Sequence, residues 1–126
     1  MGRILAVDYG EKRLGIAISD ETKTIAIPRP HIEASKRDQI VQVVKDCDVE
    51  KILLGFPVNL KGEEGRSAQK VRLFKDWIQK NINLPVELID ERFSTKEVQK
   101  EIGKSSRARK LIDSLVAARM LERYLK

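Results

Sequence analysis

The sequence predicts a single α/β domain spanning residues 1–126, with a mixed five-stranded sheet and helices on both faces. Three observations predict it. Three short apolar runs separated by turn residues open the chain, at residues 4–8, 14–19 and 24–28. Two further apolar runs, at 51–55 and 85–90, alternate with stretches of helical periodicity. A chain of 126 residues, 41% of them hydrophobic, is long enough to bury one core.

The first three runs lie too close together for crossover helices, so they predict an antiparallel meander. Residues 35–47 then place Ile40, Val43, Val44 and Cys47 at helical spacing. Lys51-Ile-Leu-Leu-Gly55 reads as a buried strand. Residues 65–81 predict a helix with Val71, Phe74, Trp77 and Ile78 along one stripe. Residues 85–90 are a strand. A short helix over 94–102 opens with Ser94-Thr95-Lys96-Glu97, a capping box. Residues 107–125 form the last helix. The order is β-β-β-α-β-α-β-α-α, and right-handed crossovers join its parallel strands. Such an order, with an acid ending the first strand, is the ribonuclease-H-like arrangement. There is no repeat, linker or low-complexity segment.

The formal charge is +6. From Phe93 to Lys126 there are nine basic residues and four acids, so most of the excess lies in the last quarter of the chain. Such a cluster favours polyanions, of which nucleic acid is the commonest, although a solvated helix face has the same composition. No apolar run approaches the ~20 residues of a membrane span, and no signal peptide precedes the first strand. These features, with Cys47 as the single cysteine, predict a cytoplasmic protein without a membrane partner and without an internal disulfide. Cys47 reads as a small core residue.

Asp8 is the first candidate for chemistry. It ends an apolar run and is followed by a glycine-bounded turn carrying Lys12 and Arg13. A carboxylate there can hold a hard cation, and the cations beside it can hold the phosphate acted on. Asp also begins ordinary hairpin turns. The second candidate is Asp90-Glu91-Arg92, at the carboxyl end of the strand 85–90, where open sheets build their sites. A surface ion pair with Arg92 or a helix start is the plainer reading. The third is Asp113, which heads a helical stripe of Val116, Ala117, Met120 and Tyr124. An acid in that place is costly unless paired or bound to metal, although a first-turn acid also suits the helix dipole.

Three acids far apart in sequence match a site for Mg²⁺ or Mn²⁺, with two ions ~4 Å apart acting on a phosphodiester. The metal ligands predicted are Asp8, Glu91 and Asp113. Asp90 and Glu91 alternate across their strand. Glu87 would be awkward under a helix, which argues that Val86, Leu88 and Asp90 share the better-buried face. Yet Glu91 is longer and can curl over the strand end, and so is favoured slightly as the ligand. Asp90 is then a supporting group or a partner of Arg92. One histidine and one cysteine exclude a zinc site and a Cys-His nucleophile pair. The loop over 55–67 contains no Walker A string, but its backbone and Arg66 can cradle a phosphate. Lys104, Arg107, Arg109 and Lys110 precede Asp113 and, with Lys12, Arg13, Arg66 and Arg92, are the nucleic-acid-binding candidates.

Four blocks make the sequence similar to the YqgF family, RuvC-like proteins described both as Holliday-junction resolvases and as pre-16S rRNA nucleases. They are Ala6-Val-Asp-Tyr-Gly-Glu-Lys-Arg-Leu-Gly-Ile-Ala17, then Gly55-Phe56-Pro57 with Gly62 and Gly65, then Asp90-Glu-Arg-Phe-Ser-Thr95, then Ile112-Asp-Ser-Leu-Val-Ala-Ala118. They span nearly the whole chain. The resemblance implies a ribonuclease-H-like fold with Asp8, the Asp90-Glu91 pair and Asp113 as catalytic acids. One departure from the wider superfamily stands out. The strand after the first long helix usually carries an acid, and here it ends Gly55-Phe56-Pro57.

The expected function is a metal-dependent endonuclease on structured RNA, maturing the 5′ end of pre-16S rRNA. The ribosomal substrate comes from the resemblance alone. A Holliday-junction resolvase acting on branched DNA is the alternative, and it would require a symmetric dimer where the first reading allows a monomer. A non-catalytic nucleic-acid-binding protein comes third. Actin-like ATPases also open with Asp-x-Gly, but they need two such domains.

Overall fold

The structure, a computed structural model, describes the backbone of residues 2–56, 66–90 and 112–126. It describes their side chains too, except those of Phe56, Arg66, Ser67, Asp90, Ile112 and Asp113. The expected helix over 94–102 and the start of the last helix lie outside the described residues.

The strands are β1 (Arg3–Asp8), β2 (Arg13–Ser19), β3 (Ala26–Glu33), β4 (Val49–Phe56) and β5 (Val86–Asp90). The helices are α1 (Gln39–Asp46), α2 (Arg66–Asn81) and α3 (Ile112–Leu125). One sheet takes the order β3-β2-β1-β4-β5. β1 pairs antiparallel with β2, and β2 with β3. β1 pairs parallel with β4, and β4 with β5. The mixed ribonuclease-H-like sheet is therefore present, with β1 at its centre.

Alternation along the inner strands sorts their side chains between two cores. Leu5, Val7, Ile16, Ile52 and Leu54 face α1 and α2, where they meet Ile40, Val71, Phe74 and Ile78. Ile4, Ala6, Ala17 and Leu53 face the other way, onto Ala117, Ala118 and Leu121 of α3. That face carries small residues, which let α3 approach the sheet closely. The central strands read as continuous apolar runs because both of their faces are covered. Cys47 is buried at the end of α1, as the sequence predicts. Among the described residues no helix is long and apolar enough to cross a membrane.

Two elements differ most from expectation. β3 begins at Ala26 rather than residue 24 and runs to Glu33, five residues past Pro28. Its late start follows from Asp20, whose Oδ1 accepts hydrogen bonds from the Thr24 N–H (2.7 Å) and the Ile25 N–H (3.0 Å). Its extension past Pro28 and Pro30 follows from its edge position, where a ladder donor is needed on one side only. The helix predicted to begin at residue 35 instead opens with a 3₁₀ turn, Ala34–Lys36, and becomes α-helical at Gln39.

The Asp20 turn makes stability depend on pH. A hydrogen bond from the Thr22 hydroxyl, then those from the Ile25 and Thr24 amides, lower its carboxyl from 3.8 to about 2. A carboxyl with a lowered folded value stabilises above its unfolded value and loses that contribution as pH falls through the folded one. Asp20→Ala should lower Tm at neutral pH. The gap to the native chain should narrow below pH 3.8 and close near pH 2. Thermal melts of both proteins across that range measure it, and a constant gap would remove Asp20 from the turn's support.

Candidate active site

Asp8 is the last residue of the central strand. It shares the α3 face with Ile4 and Ala6 by alternation, and it lies opposite Gly15 of β2. The β1–β4 register, Val7 with Leu54, continues to Asp8 and Gly55. Gly55 in turn pairs with Ile89, and Phe56 with Asp90. The carboxyl ends of β1, β4 and β5 thus stand side by side. Asp8, Gly55 and Ile89 form one row, and its middle member has no side chain. β5 stands two strand spacings, ~10 Å, from β1.

The turn after Asp8 is held to α2 from two sides. The Tyr9 ring packs on Phe74, with centroids 5.1 Å apart and tilted by 38°. Glu11 forms an ion pair with Lys70 of α2. The hydrogen bond from Lys70, reinforced by its charge, holds the Glu11 carboxyl below the usual carboxylate range. Gly10 makes the turn possible, since a Cβ there would lie 2.5 Å from the Arg13 carbonyl oxygen. Lys12 and Arg13 are exposed at this end of the sheet.

α3 reaches the same place. Its third residue, Ser114, is fully buried, and its Oγ accepts a hydrogen bond from the Ile16 N–H at 3.2 Å. β3 carries one extra residue between Arg29 and Ile32, so the β2–β3 ladder breaks beside Ile16. The hydroxyl of α3 takes up the amide at that break. Ile16 adjoins Gly15, the partner of Asp8. The backbone of α3 around Asp113 and Ser114 is therefore anchored next to the Asp8 strand end. At the helix's other end the Lys51 ammonium donates to the Tyr124 hydroxyl at 2.6 Å and lies 3.7 Å from Glu87. The Tyr124 hydrogen bond is the main cause that raises the Lys51 value.

The structure thus brings Asp8 and the carboxyl end of β5 to one sheet edge. The described N-terminal end of α3 lies beside Asp8. Glu91, Arg92, Lys104, Arg107, Arg109 and Lys110 lie outside the described residues. Arg66 opens α2, with its backbone alone described. Glu87 agrees with the expectation that Val86 and Leu88 take the better-buried face, since they pack on the main core while the Glu87 side chain is exposed. It lies on the α3 face, tolerated because β5 is an edge strand and Lys51 stands beside it. Among the described residues no three His, Cys, Asp or Glu side chains gather as a metal cluster. Sequence reasoning missed Ser114. Its signal was a hydroxyl inside an apolar stripe, one residue after the candidate acid.

The family model described as "RuvX: Holliday junction resolvase" matches residues 2–126. A protein of Halothermothrix orenii named "Putative pre-16S rRNA nuclease" is 35% identical over 98% of this chain and 94% of its own length. One of Dictyoglomus thermophilum with the same name is 37% identical over 98% of this chain and 94% of its own. Among solved structures, Thermus thermophilus RuvC in complex with a Holliday junction substrate superposes with a TM-score of 0.60 at 16% identity. That match covers 99% of this chain and 94% of that one. At this identity the likeness speaks for the fold.

Replacing Ser114 by alanine removes a buried hydrogen bond to the Ile16 amide, which costs about 1 kcal/mol. Ser114→Ala should lower Tm by several degrees, whereas Ser114→Thr should retain most of the stability. Calorimetry of the two variants checks this, and an unchanged Tm in Ser114→Ala would show that the hydroxyl does not anchor α3.

Proposed function

The chain belongs to the RuvX family, the YqgF proteins its four blocks resemble, and on that premise we propose that it is a metal-dependent endonuclease maturing the 5′ end of pre-16S rRNA in the cytoplasm. The single observation that carries a hydrolytic site is the meeting of the Asp8 strand end with the first turn of α3 through the Ser114–Ile16 hydrogen bond. The name shared by the relatives supports the ribosomal substrate.

The donor set suits a hard divalent cation. Asp8, Glu91 and Asp113 offer oxygen only, which Mg²⁺ and Mn²⁺ prefer. Cys47 lies before β4, at the end of the sheet away from Asp8. By sequence spacing Glu91 has the parity of Glu87 and Ile89, and Ile89 shares the α3 face with Asp8 by register. Asp90 instead follows Val86 and Leu88, which pack on the α1 and α2 side. That parity supports Glu91 as the ligand. Gly55 supports it too, since the row between Asp8 and Ile89 has no side chain to obstruct a carboxylate reaching inward.

In this reading Asp8, Glu91 and Asp113 hold two divalent ions. Bound ions of this kind supply an activated water and neutralise charge on the leaving oxygen. Lys12 and Arg13 hold the substrate phosphates against the edge of the sheet, while Tyr9 and Glu11 fix the turn that carries them. Arg66, Arg92, Lys104, Arg107, Arg109 and Lys110 extend the basic surface along the nucleic acid. A second reading, a resolvase acting as a homodimer on branched DNA, is favoured by the description of the matching family.

Labelled precursor rRNA and a four-way DNA junction, incubated side by side with Mn²⁺ and with chelator, separate the two readings. The RNA should be cut and the junction spared. Excess chelator should abolish cutting, and Asp8→Asn should reduce it more than ~100-fold at unchanged Tm. Full activity in that variant or in chelator would sink the nuclease reading.

Glu91→Gln should lose far more kcat than Asp90→Asn, with similar melting temperatures. The reverse ranking in single-turnover assays would give the metal to Asp90. Equal mild losses would take both residues out of the site.

A further inference from the structure

Beyond the metal-binding acids, the same edge of the sheet holds a cleft of about 410 Å³ lined by Glu11, Lys12, Arg13, His31, Glu33 and Ser35. Its volume falls within the ~300–1,000 Å³ of small-ligand sites. The β1–β2 turn forms one wall, and the end of β3 with its 3₁₀ turn forms the other. A hydrogen bond from the Ala34 N–H to the Lys12 carbonyl oxygen, 2.9 Å, ties the walls together. Arg13 and Glu33 stand opposite one another in the β2–β3 register. The cleft owes its existence to the extension of β3 past its two prolines.

Its chemistry is mixed. Two cations stand against two carboxylates, so the cleft is nearly neutral and is poorly suited to a bare anion. Glu11 is already paired with Lys70. Glu33 lies 3.7 Å from Lys36, in an exposed pair that contributes little. Glu33 and the exposed Ser35 hydroxyl can therefore accept from, or donate to, a ligand hydroxyl. A ligand with a phosphate at one end and a hydroxyl at the other suits this lining. Arg13 lies two residues from Gly15, the partner of Asp8, which is ~7 Å along β2. The occupant is then a nucleotide beside the scissile one.

The geometry points to a ribose-reading subsite, in which Lys12 and Arg13 take a flanking phosphate while Glu33 and Ser35 engage the 2′-hydroxyl of the same nucleotide. The 2′-hydroxyl, donor and acceptor at once, is what tells RNA from DNA at a given site. This deepens the proposed function and rests on it, since it supplies from the chain's own residues a preference for RNA.

Binding in excess chelator tests the subsite apart from cleavage. Single-stranded RNA, DNA and 2′-O-methyl RNA of one sequence are titrated against the full chain by fluorescence anisotropy. The native protein should prefer RNA to both others by ~10-fold, about 1.4 kcal/mol. Glu33→Gln combined with Ser35→Ala should reduce that ratio below ~3-fold, with DNA affinity and circular dichroism unchanged. A native chain without preference, or a variant that keeps it, overturns the subsite. If precursor rRNA is still cut by the native chain in the metal assay, the nuclease reading survives that failure. If discrimination depends on Glu33 and Ser35 but no metal supports cutting, the subsite stands and the nuclease reading falls.

Discussion

The Ile16 amide and the Ser114 hydroxyl make the contact on which the site depends. The register of β3 shifts by one residue next to Ile16, and the buried Ile16 amide donates to a side chain from outside the sheet. Ser114 supplies that side chain from the opposite layer of the fold. One hydrogen bond thus ties the described N-terminal part of α3 to the sheet, across 98 residues of sequence. Ser19 does related work at the other end of the hairpin, accepting from the Ile4 N–H at 2.9 Å. The two buried polar side chains among the described residues are these two serines, and each satisfies an inner-strand amide.

The rest of the architecture converges on the same edge. Parallel pairing aligns the ends of β1, β4 and β5, and the turn after Asp8 leans on α2 through a ring contact and an ion pair. Lys51, Tyr124 and Glu87 tie the far end of α3 to β4 and β5. The helix is therefore held at both ends, over a face lined by alanines and a few aliphatic residues. A site built on elements fixed in this way can hold its acids in place before any ligand arrives.

The architecture was legible in the sequence because the inner strands are buried on both faces and read as unbroken apolar runs. Asp8 was legible because it ends one of them. The length of β3 was not, since Pro28 and Pro30 signal an end anywhere but at a sheet edge, and edge position is a property of the whole fold. The role of Ser114 was hidden for a similar reason. Its partner lies in a bulge created by β3, which no local pattern announces. His31, Glu33 and Ser35 escaped notice because they line a cleft that exists only when β3 is long.

The ring contact at Tyr9 does not stop at Phe74. Phe74 stacks on Trp77 with centroids 6.0 Å apart and planes within 4°, and the Arg37 guanidinium lies 4.8 Å above the Trp77 ring. Trp77 is the single tryptophan of the chain. A chain of ring contacts, tilted at Tyr9 and parallel at Trp77, therefore runs from the residue beside Asp8 to a half-buried indole under a cation. Emission from that indole is a native optical reporter, wired by van der Waals contact to the turn at the heart of the site and needing no added label.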